Sequence, residues 1–282
     1  MSRIVYVNGA YVPEEDAKVS VFDRAFLFGD AVYEVTAVLD GRLVDFEPHL
    51  ERLDRSLSEI ALAPPLNHAD LRALHEELIR RNNVEEGIVY LEISRGSAER
   101  DFAYPDGAAP TVVAFTQSRP MIANPYAETG VKVVTIPDLR WKRRDIKSTS
   151  MLAQTMGKQD AKLKGAYEGW MVENGFVTEG TSSSAFILDA QGVIRTQPLG
   201  HQILPGVTRR AILRLAALEG VNLEERPFSV AEALGAREAF MTAASAFVLP
   251  VVEIDGIGIG DGSPGPIARK FRSLYIEEAR RS

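Results

Sequence analysis

The sequence predicts an α+β protein of two domains, and three observations lead there. Asn8-Gly9, Asp40-Gly41 and Asn174-Gly175 each separate runs rich in β-branched and aromatic residues, the pattern of tight antiparallel hairpins. Two stretches with helical apolar spacing, Leu50 to Ile60 and Leu71 to Ile79, follow one another instead of alternating with strands. Residues 118–129 contain Pro120 and Pro125 and show no periodicity, as a connection between domains would. The expected organisation is an N-terminal α+β domain over 1–118, a linker over 119–130 and a C-terminal domain over 131–282.

The elements follow in order. A hairpin is expected over 4–12, then a turn-rich stretch over 20–30, then a second hairpin with strands at 31–39 and 42–46. Pro48 opens a helix whose apolar stripe is Leu50, Leu53, Leu57 and Ile60, with Arg52 and Arg55 off its centre. Asn67 is placed to cap a second helix that uses Leu71, Leu74, Leu78 and Ile79. Strands are expected at 88–94 and 111–116, separated by a loop over 95–105. Beyond the linker, a strand at 131–136 feeds the basic segment 140–150, and a helix runs from Met151 to about Gly165, capped by Ser148 or Ser150. That helix carries Leu152, Met156 and Leu163. A hairpin over 170–178, strands at 185–188 and 193–196, and a helix after Gly206 with Ile212, Leu215 and Leu218 come next. Strands at 221–226 and 238–242 flank a short helix from Ser229, and a strand pair at 251–259 precedes the C-terminal helix.

Composition narrows the function. The net charge of −7 and pI near 5.3 argue against a nucleic-acid partner for the chain as a whole. No apolar run approaches the roughly 20 residues of a membrane span, and no signal-peptide core follows the N-terminus. Without cysteine there is neither a disulfide nor a thiolate, and the four histidines show no metal-ligand spacing. The expectation is a cytoplasmic protein without a metal site.

Three features could carry chemistry together. Lys147 ends a basic segment, and cationic neighbours favour the neutral amine needed for nucleophilic and Schiff-base chemistry. Glu179-Gly180 leads into four consecutive hydroxyl residues, Thr181 to Ser184, which offer donors and allow close approach to the backbone. Leu204-Pro-Gly-Val-Thr208 opens a helix, whose exposed N–H groups and positive dipole end suit a phosphate. A lysine, a carboxylate and a phosphate cradle are the parts a pyridoxal phosphate site requires.

At larger scale the chain resembles the fold-type IV pyridoxal-phosphate aminotransferases, and most closely the D-amino-acid group. The resemblance rests on Phe-Gly-Asp-Ala-Val-Tyr-Glu (28–34), His-Leu-Glu-Arg-Leu (49–53), Asp-Ile-Lys-Ser (145–148), Val-Thr-Glu-Gly-Thr-Ser-Ser (177–183), Ile-Leu-Pro-Gly-Val-Thr-Arg (203–209) and Leu-Pro-Val-Val-Glu-Ile-Asp-Gly (249–256). It implies a small α/β sandwich domain, a larger pseudo-barrel domain that binds the cofactor, and a homodimer with active sites near the interface. It implies pyridoxal 5′-phosphate as cofactor and Lys147 as the Schiff-base lysine and proton shuttle. It further implies that Glu179 pairs with the pyridine nitrogen and Arg52 with the phosphate. Ser183, Val207, Thr208 and Ala244 complete the cradle, and Leu204 packs on the ring. Tyr33 lines the substrate pocket, and Arg100 binds the substrate carboxylate across the dimer.

Two departures stand out. The family's His two residues after that Arg is Phe102 here, and the phosphate-side turn reads Ala243-Ala244-Ser245 where a Thr is frequent. The implied reaction transfers an amino group between a D-amino acid, of the D-alanine or D-glutamate type, and a 2-oxo acid. Branched-chain L-amino-acid and (R)-selective amine aminotransferases are the alternatives within the fold, with the lyase that acts on aminodeoxychorismate disfavoured by Tyr33 and Arg100. A binding protein that only keeps the fold is the reading outside catalysis.

Overall fold

The computed structural model describes residues 2–281, and its contacts divide the chain into two compact units. The first runs to Met121 and also takes in Ile146–Ser150; the second comprises Ile122–Asp145 and Met151–Arg281.

The first unit contains β1 (Ile4–Val7), β2 (Ala10–Pro13), α1 (Arg24–Phe28), β3 (Ala31–Leu39), β4 (Arg42–Leu43), α2 (Phe46–Glu59), α3 (His68–Asn82), β5 (Glu86–Ser94) and β6 (Thr111–Ser118). Its six strands form an antiparallel sheet in the order β2-β1-β6-β5-β3-β4. Asn8 and Gly9 both take positive φ (46° and 95°), as the two-residue turn between β1 and β2 demands. α2 and α3 lie on the sheet, and Leu50, Leu53, Leu57, Leu71, Leu74 and Leu78 share a core with Val32, Val89, Leu91 and Ile93. Removing such a side chain from water is worth about 2 kcal/mol.

Among the boundaries that differ from the sequence expectation, two adjoin one another. The second strand of the β3–β4 hairpin stops at Leu43, and α2 begins at Phe46 and not at Pro48. Asp45 adopts a left-handed conformation (φ 54°) that ends the hairpin, and Phe46 is buried with its ring 4.9 Å from that of His75. Pro48 then falls within the first turn, where a missing N–H leaves no intrahelical bond unmade. Ile60 is the C-cap residue of α2. Asn67 caps α3 as expected, its side chain accepting from Asp70 N at 2.9 Å.

The second unit contains α4 (Pro125–Thr129), β7 (Val131–Pro137), α5 (Leu152–Leu163), β8 (Glu168–Glu173), β9 (Phe176–Gly180), β10 (Ser184–Leu188) and β11 (Ile194–Thr196). It continues with α6 (Val207–Leu218), β12 (Leu223–Glu225), α7 (Val230–Leu234), β13 (Glu238–Ala243), β14 (Phe247–Ile254), β15 (Ile257–Gly258) and α8 (Pro266–Ala279). The main path of its mixed sheet is β12-β11-β10-β13-β14-β7-β8-β9, with β15 paired to β14. β9 and β10 stand five strand spacings apart along that path, roughly 24 Å if the sheet were flat. Yet Gly180 is followed by Ser184 after three residues, a reach of at most about 14 Å. The sheet therefore curls until β9 meets the turn into β10, where Gly180 N donates to Ser183 O at 2.7 Å. That closure is the pseudo-barrel, and it sets Glu179 beside the hydroxyl-rich turn.

The segment around Lys147 also departs from expectation. α5 begins at Leu152, Met151 occupies the N-cap position without a side-chain bond, and neither Ser148 nor Ser150 caps it. Strand β3 competes successfully for this backbone: Tyr33 N donates to Lys147 O (3.0 Å) and Thr149 N to Ala31 O (3.0 Å), while Ser148 bridges Val32. Lys147 thus sits on an extended segment that groups with the first unit, ahead of α5 and not at its mouth. Leu152, Met156 and Leu163 are exposed, whereas Ala161 is buried. Leu218 of α6 is likewise exposed, its stripe reduced to Ile212 and Leu215 on the buried side. Among the described residues no helix is long and apolar enough to cross a membrane.

Candidate active site

Lys147 is held through its backbone. Its N–H donates to Ser56 Oγ at 3.3 Å and its carbonyl accepts from Tyr33 N, so both sides of the peptide are fixed. Its Nζ lies 4.1 Å from the centroid of the Tyr33 ring, within cation–π range. Tyr33 in turn stacks on Tyr90 (5.6 Å), and Tyr90 on Phe115 (4.8 Å), a ladder of rings across β3, β5 and β6.

The neighbour of Tyr33 in β3 points to the opposite face. Glu34 is buried and receives Arg52 through two bonds, Nε to Oε1 at 2.8 Å and Nη2 to Oε2 at 2.7 Å. His49 Nδ1 adds a contact to Oε2 at 2.7 Å. Burial opposes the charge on Glu34, but the Arg52 guanidinium and His49 more than offset it and hold the carboxyl well below its usual range. For His49 burial dominates and favours the neutral ring. Arg52 is therefore buried and rigidly oriented.

Arg100 and Phe102 lie on the loop after β5, and both are exposed. The Arg100 guanidinium sits 5.3 Å from the Phe28 ring and 5.5 Å from the Phe102 ring, and the two rings are 5.5 Å apart.

In the second unit Glu179 is the penultimate residue of β9, buried. Arg140 Nη1 donates to its Oε1, and Leu204 N lies 3.2 Å from each of its carboxylate oxygens. Arg140 also holds Asp138 through Nη2 at 2.7 Å, and Thr178 donates to the same Asp138 oxygen at 2.7 Å. Burial raises the Glu179 carboxyl above its usual range, and the pull of Arg140 and of Leu204 N–H only partly counters it. For Asp138 the same burial is outweighed by Arg140, Thr178 and Arg144, and its carboxyl is lowered. The basic segment is therefore only partly solvated: Trp141 and Lys142 are exposed, but its arginines are paired. The side chains of Arg140 and Arg144 are buried, Arg144 pairs with Asp138 and Glu173, and Arg143 pairs with Asp145.

Of the residues expected to hold a phosphate, Ser183, Val207, Thr208 and Ala244 belong to this unit and Arg52 to the first. Ser184 pairs with Thr242, so the 181–184 turn lies alongside the 244–246 turn that carries Ala244. Gly206 is the N-cap of α6 and has no side-chain cap, and the first turn carries no acidic residue. A Cβ at Gly206 would approach Ser184 Oγ to 2.8 Å and Arg209 Cβ to 3.1 Å. Val207 and Thr208 form the first turn, and Thr208 Oγ1 is buried with no hydrogen-bond partner. Ser183 contacts Glu168 Oε2 at 3.4 Å, and Glu168 also receives Thr181 and Ser182 (2.9 Å).

Residues 31–254 match the family model described as amino-transferase class IV. The chain belongs to the class IV aminotransferases. Similar curated proteins include the D-alanine aminotransferase of Bacillus licheniformis, 38% identical over 271 residues that span 95% of this chain and 94% of that protein. The D-alanine aminotransferase of Staphylococcus aureus (strain MSSA476) is 37% identical over 279 residues, 97% of this chain and 98% of the relative. Among solved structures, the branched-chain amino acid aminotransferase of Escherichia coli superimposes with a TM-score of 0.92 at 25% identity, covering 98% of this chain and 94% of that one. The branched-chain aminotransferase of Thermoproteus uzoniensis, solved with norvaline, gives 0.88 at 27% identity over 99% and 95%.

As a class IV aminotransferase the chain is a pyridoxal-phosphate-dependent transaminase of fold type IV. Its residues fit that cofactor on physical grounds. An uncapped helix N-terminus, a glycine whose Cβ would crowd the approach and an orphaned buried hydroxyl at Thr208 are what a phosphate would satisfy. Reading from sequence missed Arg140 as the partner shared by Glu179 and Asp138, and Glu34 and His49 as partners of Arg52. Glu34 had a signal: a carboxylate inside a strand flanked by Val32 and Val35 needs a buried counter-charge. Arg140 had none, because nothing distinguishes it locally from its basic neighbours.

Proposed function

We propose that this aminotransferase moves the amino group of a D-amino acid, of the D-alanine or D-glutamate type, onto a 2-oxo acid. The identity of 37% to 38% with D-alanine aminotransferases over nearly the whole chain supports this substrate class. The structural observation that carries the reaction type is the buried Glu179 carboxylate, held on two sides by Arg140 and Leu204 N–H. A fixed negative charge there keeps the pyridine nitrogen protonated. When bound, pyridoxal phosphate supplies an electron sink for the bonds at the substrate Cα.

Every other part is supplied by the chain. Lys147 Nζ accepts the Cα proton of the donor in one half-reaction and gives a proton to the corresponding carbon of the acceptor in the other. Arg52, oriented by Glu34, is one phosphate ligand; Ser183, Val207, Thr208 and the turn at Ala244 are others. Leu204 packs on the cofactor ring, and Tyr33 bounds the substrate pocket. Arg100 binds the substrate carboxylate across a homodimer, the planar guanidinium matching the carboxylate edge, with Phe102 beside it. A cytoplasmic location accords with the lack of a membrane-crossing helix among the described residues.

The test is a half-reaction screen with D- and L-alanine, D- and L-glutamate, L-leucine and (R)-1-phenylethylamine, following loss of the enzyme-bound cofactor's absorption band. Preferential turnover of the D-amino acids supports the assignment. Preference for L-leucine would move it to the branched-chain group, and preference for the amine would remove the carboxylate role of Arg100.

A further inference from the structure

The first unit holds a buried charge cluster that neither the cofactor residues nor the apolar core accounts for. Arg24 and Arg95, 3% and 5% exposed, converge on Asp30. Arg24 Nε donates to Asp30 Oδ2 at 2.7 Å, and Arg95 donates to the same oxygen at 2.9 Å and to Oδ1 at 3.1 Å. Two guanidinium groups on one carboxylate leave N–H groups to spare, and these go to backbone carbonyls. Arg95 takes Ile60 O (2.6 Å) and Ala61 O (3.3 Å). Arg24 takes Asp101 O (2.7 Å) and Phe102 O (3.4 Å), the two carbonyls that follow Arg100.

Aromatic rings bind the same assembly. The Arg24 guanidinium lies 4.6 Å from the Phe28 centroid, and Arg100 lies 5.3 Å from that same ring. Tyr104 covers Arg95 at 3.5 Å. Residues 99–104 are exposed, so these bonds from below are a substantial part of what fixes their path.

We propose that Arg24, oriented by Asp30, is a positioning residue that holds the 99–104 loop so that Arg100 meets the substrate carboxylate. This rests on the reading of Arg100 as the carboxylate anchor. The guanidinium fork suits the task because one side chain must serve a carboxylate and two successive carbonyls, which an ammonium group on a flexible stem does less well.

The experiment compares Arg24→Ala, Arg24→Lys, Arg100→Ala and the Arg24→Ala/Arg100→Ala double variant on D-alanine and on D-alaninamide, which lacks the carboxylate charge. KM and kcat are read separately, and amide hydrogen exchange is followed at 99–104. Arg24→Ala is expected to raise KM for D-alanine about tenfold or more. KM for D-alaninamide should stay within about twofold, exchange at 101–103 should accelerate, and the double variant should bind D-alanine no worse than Arg100→Ala. Arg24→Lys, which keeps the charge and protects against a folding failure, should shift KM in the same direction. Full multiplication of the two single effects, or equal loss on both substrates, would overturn the proposal. An Arg100→Ala enzyme with unchanged KM for D-alanine would instead refute the anchor reading itself, whereas a clear Arg100 effect with a silent Arg24 would refute only the positioning role.

Discussion

Arg140 donates to Glu179 from one terminal nitrogen and to Asp138 from the other, so one guanidinium with a buried side chain sets the charge of the carboxylate assigned to the pyridine nitrogen. Arg140→Ala should therefore cost about 3 kcal/mol at neutral pH, because it strands two buried carboxylates. The pH dependence follows from the directions of their shifts. The folded pKa of Glu179 is raised by burial, so its contribution is fully present below the unfolded pKa and is lost as pH rises through the folded one. Without Arg140 the folded value climbs further and the loss deepens. Asp138 acts in the same sense, since its lowered pKa contributes stability above its unfolded value. Urea unfolding at pH 5 and pH 8 should show a larger deficit at pH 8; equal deficits would contradict the arrangement.

Glu34 and Arg52 form the corresponding pair in the first unit. Glu34→Ala leaves a buried guanidinium without its carboxylate and should destabilise by about 3–5 kcal/mol. Because the folded pKa of Glu34 is depressed, the wild-type advantage is present above the ordinary carboxylate value near 4.3 and is lost as pH falls through the folded value. Unfolding free energies at pH 7 and pH 3.5 should show the gap between wild type and variant narrowing on acidification.

Gly96, at the root of the loop that carries Arg100, takes φ +91°, and a Cβ there would collide with the carbonyl of Ala109. Gly96→Ala should cost more than about 2 kcal/mol, from left-handed strain plus a backbone clash. Gly107→Ala makes the control: φ is +69°, nothing lies within 4 Å of the added Cβ, and the cost should be about 1 kcal/mol. Thermal melts of the two variants should rank them in that order.

Much of this was legible in the sequence, for identifiable reasons. Asn-Gly turns and leucine periodicity are local signals, and they located the β1–β2 hairpin, α3 and its Asn67 cap. The start of α5 was misjudged because its cause is distant: β3 draws residues 147–149 into extended hydrogen bonding before a helix can begin. Leu152, Met156 and Leu163 mark a helix by spacing, but spacing does not say whether the apolar side faces the core. The family motifs single out Lys147, Glu179 and Arg52, yet each is held in place by partners (Tyr33 and Ser56, Arg140, Glu34) that only the folded chain brings together.

Lys147, its backbone clamped between Tyr33 and Ser56, is the residue proposed to carry the cofactor. Borohydride reduction of the cofactor-loaded enzyme, followed by proteolysis and mass spectrometry of the peptides, tests that role most directly. A single pyridoxyl label is expected on the peptide containing Lys147, and no covalent label in Lys147→Ala. A label on Lys142 or Lys158, or cofactor that is never covalently trapped, would contradict that role.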